Sequence, residues 1–189
     1  DHLADLCRAS GGRFVGLAGL PLDDVRVAAR ELARARRDLG LAGAILPGNF
    51  FLTMADAERL RPVFAAADAC GGLLMVHPGL MPGEDTPAPY ADTSILRASA
   101  LNLQASIAQM GLTLVMGPLL EDFPNVTVQL VNLGGTLPFV LERVEAVARS
   151  RGVAFPADRL QRMVYDTASL GPRAIETAAQ VLGAERLVL

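Results

Sequence analysis

Short apolar strands alternate with amphipathic helices along the whole of this 189-residue chain, and that alternation predicts an α/β fold with a parallel sheet. Two further observations narrow the choice. Single polar residues stand where strands end (Asn49, His77, Asn132 and Asp166), and no Gly-x-Gly-x-x-Gly or Gly-x4-Gly-Lys-Ser/Thr pattern marks a nucleotide crevice. Sites gathered from one residue per strand belong to the TIM-type (β/α)8 barrel. The prediction is such a barrel, as a single domain over 1–189 with about six of its βα units present. An open doubly wound sheet is the alternative.

The elements follow in order. Residues 13–20 read as a buried strand that stops at Pro21. Asp23 or Asp24 then offers an N-cap oxygen to a helix over 25–39, where Val25, Ala28, Ala29, Leu32 and Ala33 repeat at helical spacing. Gly40 closes that helix as a left-handed residue would. Arg34, Arg36 and Arg37 read as a solvated face. A strand over 42–46 runs into Pro47-Gly-Asn-Phe50, and a helix over about 55–69 should break near Pro62. Cys70 reads as a small buried residue before Gly71-Gly72.

Residues 73–76 form the next strand, leading into His77-Pro78-Gly79. Three prolines and a glycine make 80–93 an irregular loop, of the kind that serves as a lid or binding loop. A helix is expected over 94–110, extending over 112–120 until Gly117-Pro118 interrupts it. Strand 126–131 ends in Asn132-Leu-Gly-Gly135, and helix 137–149 precedes strand 163–165, which exits into Asp166-Thr167. Helix 172–182 leads to a last strand, 186–189. A buried strand at a chain end implies an incomplete record of a larger barrel.

Composition removes several function classes. The net charge is −3 with no long run of one sign, so neither nucleic acid nor anionic lipid has an electrostatic claim. No apolar stretch approaches the roughly 18 residues of a membrane helix, and the amino terminus does not read as a signal peptide. Cys7 and Cys70 are too few for a disulfide framework or zinc knuckle and suit a reducing cytoplasm. All 17 cationic side chains are arginine. Without lysine, this chain offers no amine for a Schiff base or covalent pyridoxal attachment. A Gly-x-Ser-x-Gly nucleophile elbow is missing too.

His77 carries the chemistry. Pro78 drives it toward extended backbone at the carboxyl end of its strand, which aims the imidazole. It can serve a ligand there, or simply cap the strand through a backbone hydrogen bond. Asn49, His77, Asn132 and Asp166 should share one end of the sheet, with His77 and Asn132 facing one cavity. Asp166 should be the least direct participant, its carboxylate taken up by backbone amides.

In order along the chain stand Arg13-Phe-Val-Gly-Leu-Ala-Gly-Leu-Pro21, Leu39-Gly-Leu-Ala-Gly43, Val76-His-Pro78, Leu119-Leu-Glu-Asp-Phe-Pro-Asn-Val126, Asn132-Leu-Gly-Gly-Thr-Leu-Pro-Phe139 with Arg143, and Tyr165-Asp-Thr167. This series resembles amidohydrolase family 2, the group of aminocarboxymuconate-semialdehyde and resorcylate-type decarboxylases. The resemblance implies a (β/α)8 barrel holding one divalent metal, zinc or manganese. Ligands would come from a strand-1 His-x-His or Glu-x-His, from the His-Pro histidine, and from a Gly-Ser-Asp aspartate on strand 8. A second histidine, in a His-x-Gly-Gly segment, would act in acid-base catalysis. His77 matches the metal-binding His-Pro histidine.

The other ligand positions would fall before residue 1 and after residue 189, so no metal on His77 is expected within these residues alone. Asn132 stands at the acid-base histidine. An amide can hold a carboxylate or a water but cannot exchange a proton near neutral pH. The expected function is that of a cytoplasmic metal-dependent decarboxylase or hydrolase of a small carboxylated substrate, aromatic-derived compounds included. Its site would use His77 for metal, Asn132 for catalysis, and Asn49 and Phe50 for substrate. The rivals are a catalytically silent barrel that binds a small molecule or partner, and a structural subunit of a homo-oligomer.

Overall fold

The computed structural model describes residues 1–85, 95–168 and 170–189. Its strands are β1 (Leu17–Ala18), β2 (Gly43–Pro47), β3 (Leu73–His77), β4 (Thr127–Leu130), β5 (Met163–Asp166) and β6 (Leu187–Val188). They form one sheet in the order β1-β2-β3-β4-β5-β6, and every neighbouring pair is parallel. The helices are α1 (His2–Ala9), α2 (Val25–Arg37), α3 (Met54–Glu58), α4 (Arg61–Cys70), α5 (Leu103–Met116), α6 (Leu119–Asp122), α7 (Leu137–Ser150), α8 (Ala157–Leu160) and α9 (Pro172–Ala178). Sequential parallel neighbours joined by helices are the repeat of a TIM-type barrel, with six strands among the described residues.

The core lies between the sheet and these helices. Ala44, Leu46, Leu74, Val76, Val128, Leu130, Met163 and Tyr165 are buried in it with Leu32, Phe64, Ile107 and Leu114. Phe64 anchors a small aromatic group, 6.3 Å from Phe51 and 6.2 Å from Phe123. Side chains alternate along a strand, so the residues between them face the other side of the sheet. That second face is more open than the apolar runs implied: Ile45 is 38% exposed, and Met75, Gln129 and Val164 are half-buried.

Several boundaries move. The strand expected over 13–20 shrinks to β1, because Phe14 (66% exposed) and Val15 (77%) lie outside the sheet. Helix α2 begins as expected, with Asp24 Oδ1 accepting the Arg26 and Val27 amides at 2.8 and 3.2 Å, and Gly40 is left-handed at φ +69°. The expected break at Pro62 separates α3 from α4. Cys70 is half-buried, its thiol donating to the Ala66 carbonyl at 3.0 Å.

Of the loop over 80–93, residues 86–93 lie outside the described residues, as does Ser94 of the following helix. Residues Arg97–Asn102 make a wide π-turn before α5, and Gly117-Pro118 ends α5. Helix 172–182 likewise gives way to a π-turn after Ala178.

Arg36 departs from the solvated face assigned to it. Its guanidinium donates to the Leu41, Cys70 and Gly71 carbonyls at 2.8, 3.1 and 3.3 Å, tying the end of α2 to the end of α4. Arg159 does the same for the end of α5, bonding the Val115 and Gly117 carbonyls, and Arg162 bonds the Leu120 and Phe123 carbonyls around α6. Among the described residues, no helix is long and apolar enough to cross a membrane.

Candidate functional site

Strand register builds the site. Pro47 pairs with His77, and Val76 with Leu130, so the exits of β2, β3 and β4 lie side by side. Tyr165 pairs with Leu130 in turn, which adds the exit of β5. Asn49, His77, Asn132 and Asp166 therefore stand at the same edge of the sheet, as their strand-end positions required.

His77 is solvent-exposed, and its Nδ1 lies 3.0 Å from the Pro78 carbonyl oxygen. A carbonyl only accepts, so this contact calls for a proton on Nδ1, and in the neutral imidazole Nε2 then carries the lone pair. Beside the ring opens a cavity of about 280 Å³, walled by Leu20, Leu22, Ile45, Pro47, His77 and Gly79 among others. Among the described residues, His77 is the one titratable side chain in an otherwise apolar wall.

Asn49 lies in the 3-10 turn Gly48–Phe51 that follows β2. Its backbone amide donates to the Gly79 carbonyl at 3.0 Å, and its side-chain Nδ2 donates to Glu84 Oε2 at 2.8 Å. Phe50 is fully buried in the core, with the Arg59 guanidinium 5.2 Å from its ring centre, so it faces away from solvent.

Asn132 forms a second cluster with Asp166. It is buried, and both it and Leu133 adopt left-handed backbone, at φ +52° and +55°. Such conformations are costly for a branched residue such as Leu and persist only where surroundings enforce them. Here Asp166 Oδ1 accepts the Asn132 amide at 2.8 Å and the Ala168 amide at 3.2 Å, while Gln129 Nε2 donates to Asp166 Oδ2 at 3.2 Å. Gly135 closes the turn against α5, where a Cβ would come within 2.1 Å of the Gln104 carbonyl oxygen. Asp166 thus serves backbone amides, as its place at the exit of β5 implied.

The structure brings Asn49 and His77 together through residues 77–79, and Asn132 and Asp166 together one strand on. The cavity wall beside His77 comes from the exits of β1 to β3 and does not include Asn132. Asn132 itself is buried in the left-handed turn that follows β4. Glu84 was not singled out from the sequence. It lies 35 residues beyond Asn49, inside a Pro-Gly-rich stretch with no periodicity to signal a contact.

The sequence model of the family described as Amidohydrolase matches residues 1–189, and the chain belongs to that family. It is 28% identical over 145 residues to 2-amino-3-carboxymuconate-6-semialdehyde decarboxylase of Dictyostelium discoideum, covering 77% of this chain and 39% of that protein. It is also 28% identical over 154 residues to gamma-resorcylate decarboxylase of Rhodococcus jostii, covering 77% and 46%. The chain therefore spans less than half the length of these relatives. A crystal structure of dihydroxybenzoic acid decarboxylase from Polaromonas sp., with bound manganese and the inhibitor 2-nitroresorcinol, superposes with a TM-score of 0.76. It covers 100% of this chain and 61% of that one at 22% identity, a likeness of fold.

Among the described residues, no group of three or more His, Cys, Asp and Glu side chains is placed to hold a metal ion. A catalytic zinc-type site needs about three protein ligands, and His77 offers a single candidate nitrogen. The described residues do not fit a metal by themselves.

Proposed function

We propose that this chain contributes part of the site of a decarboxylase acting on small carboxylated aromatic compounds, with 1–189 as a single, partial barrel domain. The observation that carries the reading is His77: a histidine whose neutral imidazole carries its lone pair on Nε2, at the mouth of an apolar cavity on the carboxyl edge of a parallel sheet. The relatives named above, both decarboxylases of carboxylated substrates, support the choice of reaction over hydrolysis. The apolar wall suits the ring of such a substrate. In this reading Asn49 borders the substrate, Phe50 backs the turn that carries Asn49, and Asn132 holds a carboxylate through its amide without moving its proton. A divalent metal, zinc or manganese, is proposed for the whole protein with His77 as one ligand.

The test is carbon dioxide release from a panel of hydroxylated benzoates by the whole protein, with manganese or zinc added. His77→Gln should lower the rate by roughly a hundredfold or more. Absence of release across the panel would favour the second reading, a catalytically silent barrel that binds a small molecule. One observation supports that reading: Asn132, not a histidine, occupies the buried turn after β4.

A further inference from the structure

We infer that Asn49 and Glu84 are positioning residues for His77, closing a clasp that fixes the backbone carbonyl on which the imidazole rests. The inference rests on His77 being the working residue of the cavity.

The β2 and β3 exits are pressed together. Pro47 pairs with His77, a Cβ on Gly48 would sit 3.1 Å from the His77 carbonyl oxygen, and one on Gly79 would sit 3.7 Å from the Pro47 Cα. Beyond Gly79 the chain turns back on itself. The Glu84 amide donates to the Met81 carbonyl at 3.1 Å, and Glu84 Oε2 accepts the Met81 amide at 2.7 Å. The same oxygen accepts Asn49 Nδ2 at 2.8 Å. Asn49 thus holds the β3 exit twice, by its backbone amide at Gly79 and by its side chain at Glu84.

The link to the ring runs through one peptide plane. The Pro78 carbonyl and the Gly79 amide share that plane, and the Gly79 carbonyl that Asn49 holds lies in the next plane, one Cα away, so holding it restricts the direction of the Pro78 oxygen. Gly79 is the softest link available, because glycine has the widest choice of backbone angles. Without the clasp, the Pro78 carbonyl can swing, and the Nδ1–H bond that sets the His77 tautomer goes with it. The partner of one imidazole nitrogen decides what the other can do. Asn49 and Glu84 therefore determine which nitrogen faces the cavity.

The experiment reads the imidazole nitrogens of His77 directly, by NMR of the folded chain with nitrogen-labelled histidine, at about pH 8, where an ordinary imidazole is neutral. His2 is the other histidine, and His2→Ala assigns the signals. The wild-type spectrum should show a protonated Nδ1 and an unprotonated Nε2. Asn49→Asp sets two carboxylates against each other and should shift both resonances toward those of an unconstrained imidazole. Asn49→Asp combined with Glu84→Gln should move them back toward the wild-type positions, since the amide nitrogen introduced at position 84 donates to the carboxylate introduced at position 49, at the expense of the Met81 amide bond that the oxygen it replaces accepted. Should Asn49→Asp fail to fold, Glu84→Ala on an exposed side chain should give the same shift.

A His77 spectrum unchanged in a folded Asn49→Asp or Glu84→Ala protein overturns the positioning role. The spectrum is taken without substrate, so its outcome is separate from the assay of His77→Gln, which bears on the proposed reaction alone.

Discussion

At Gly43 a single absent methyl group sets the spacing of the sheet: a Cβ there would lie 1.7 Å from the Leu73 carbonyl oxygen, inside any contact distance. Gly43→Ala must push β2 from β3 and should cost about 3 kcal/mol, read as a lower urea midpoint. Asp166 is the polar counterpart, accepting two backbone amides and the Gln129 side chain in a buried place. Removing one partner leaves buried donors unpaired. Asp166→Ala should therefore destabilise by roughly 1–3 kcal/mol. An unchanged unfolding midpoint would mean that the left-handed turn at Asn132 stands without its carboxylate. Asn132 and Asp166 were legible in sequence as strand-end groups, because a polar residue after an apolar run has few other places to go. The Asn49 to Glu84 contact was not, since nothing local pairs residues across a non-periodic loop.

Among the elements, amphipathic helices were the most legible and short terminal pieces the least. Helix α2 has both its cap and its apolar repeat written in consecutive residues, so its start at Val25 could be read to the residue. Helices α1 and α8, eight and four residues long, give too few turns for a period to declare itself, and neither was foreseen. Strand β1 was overestimated because Phe14 and Val15 have strand propensity, yet no neighbour among the described residues covers them.

The cap of α2 also titrates. Amide bonds from Arg26 and Val27 hold the Asp24 carboxyl below its usual range. A depressed folded pKa means its stabilisation is present above the ordinary carboxylate value and is lost as pH falls through the lower folded one. Asp24→Ala should lower the melting temperature at neutral pH, and the gap should narrow progressively as pH falls below about 4. A gap that persists in acid would show that the charge contributes nothing.

For the molecule as a whole, the alternation of strand and helix conveyed both the parallel sheet and its sequential order. What it did not convey was the asymmetry of the two faces, because Ile45 and Met75 are as apolar as their buried neighbours. Among the described residues, edge strands β1 and β6 pair on one side only and are two residues long. Hydrogen exchange should accordingly be slowest in β2 to β4 and fastest in β1 and β6. Equal protection across all six would show that the edges are covered by something further.

The guanidinium fasteners at Arg36, Arg159 and Arg162 carry a last consequence. An arginine side chain keeps its charge at any pH a cell reaches and presents several donors at once, where an ammonium offers a single point. The helix ends they gather will not loosen with acidity, as the cap of α2 does. Acetylating enzymes, which silence lysine charges, find no side chain here to modify. The covalent regulation most often aimed at cationic surfaces has no purchase on these joints.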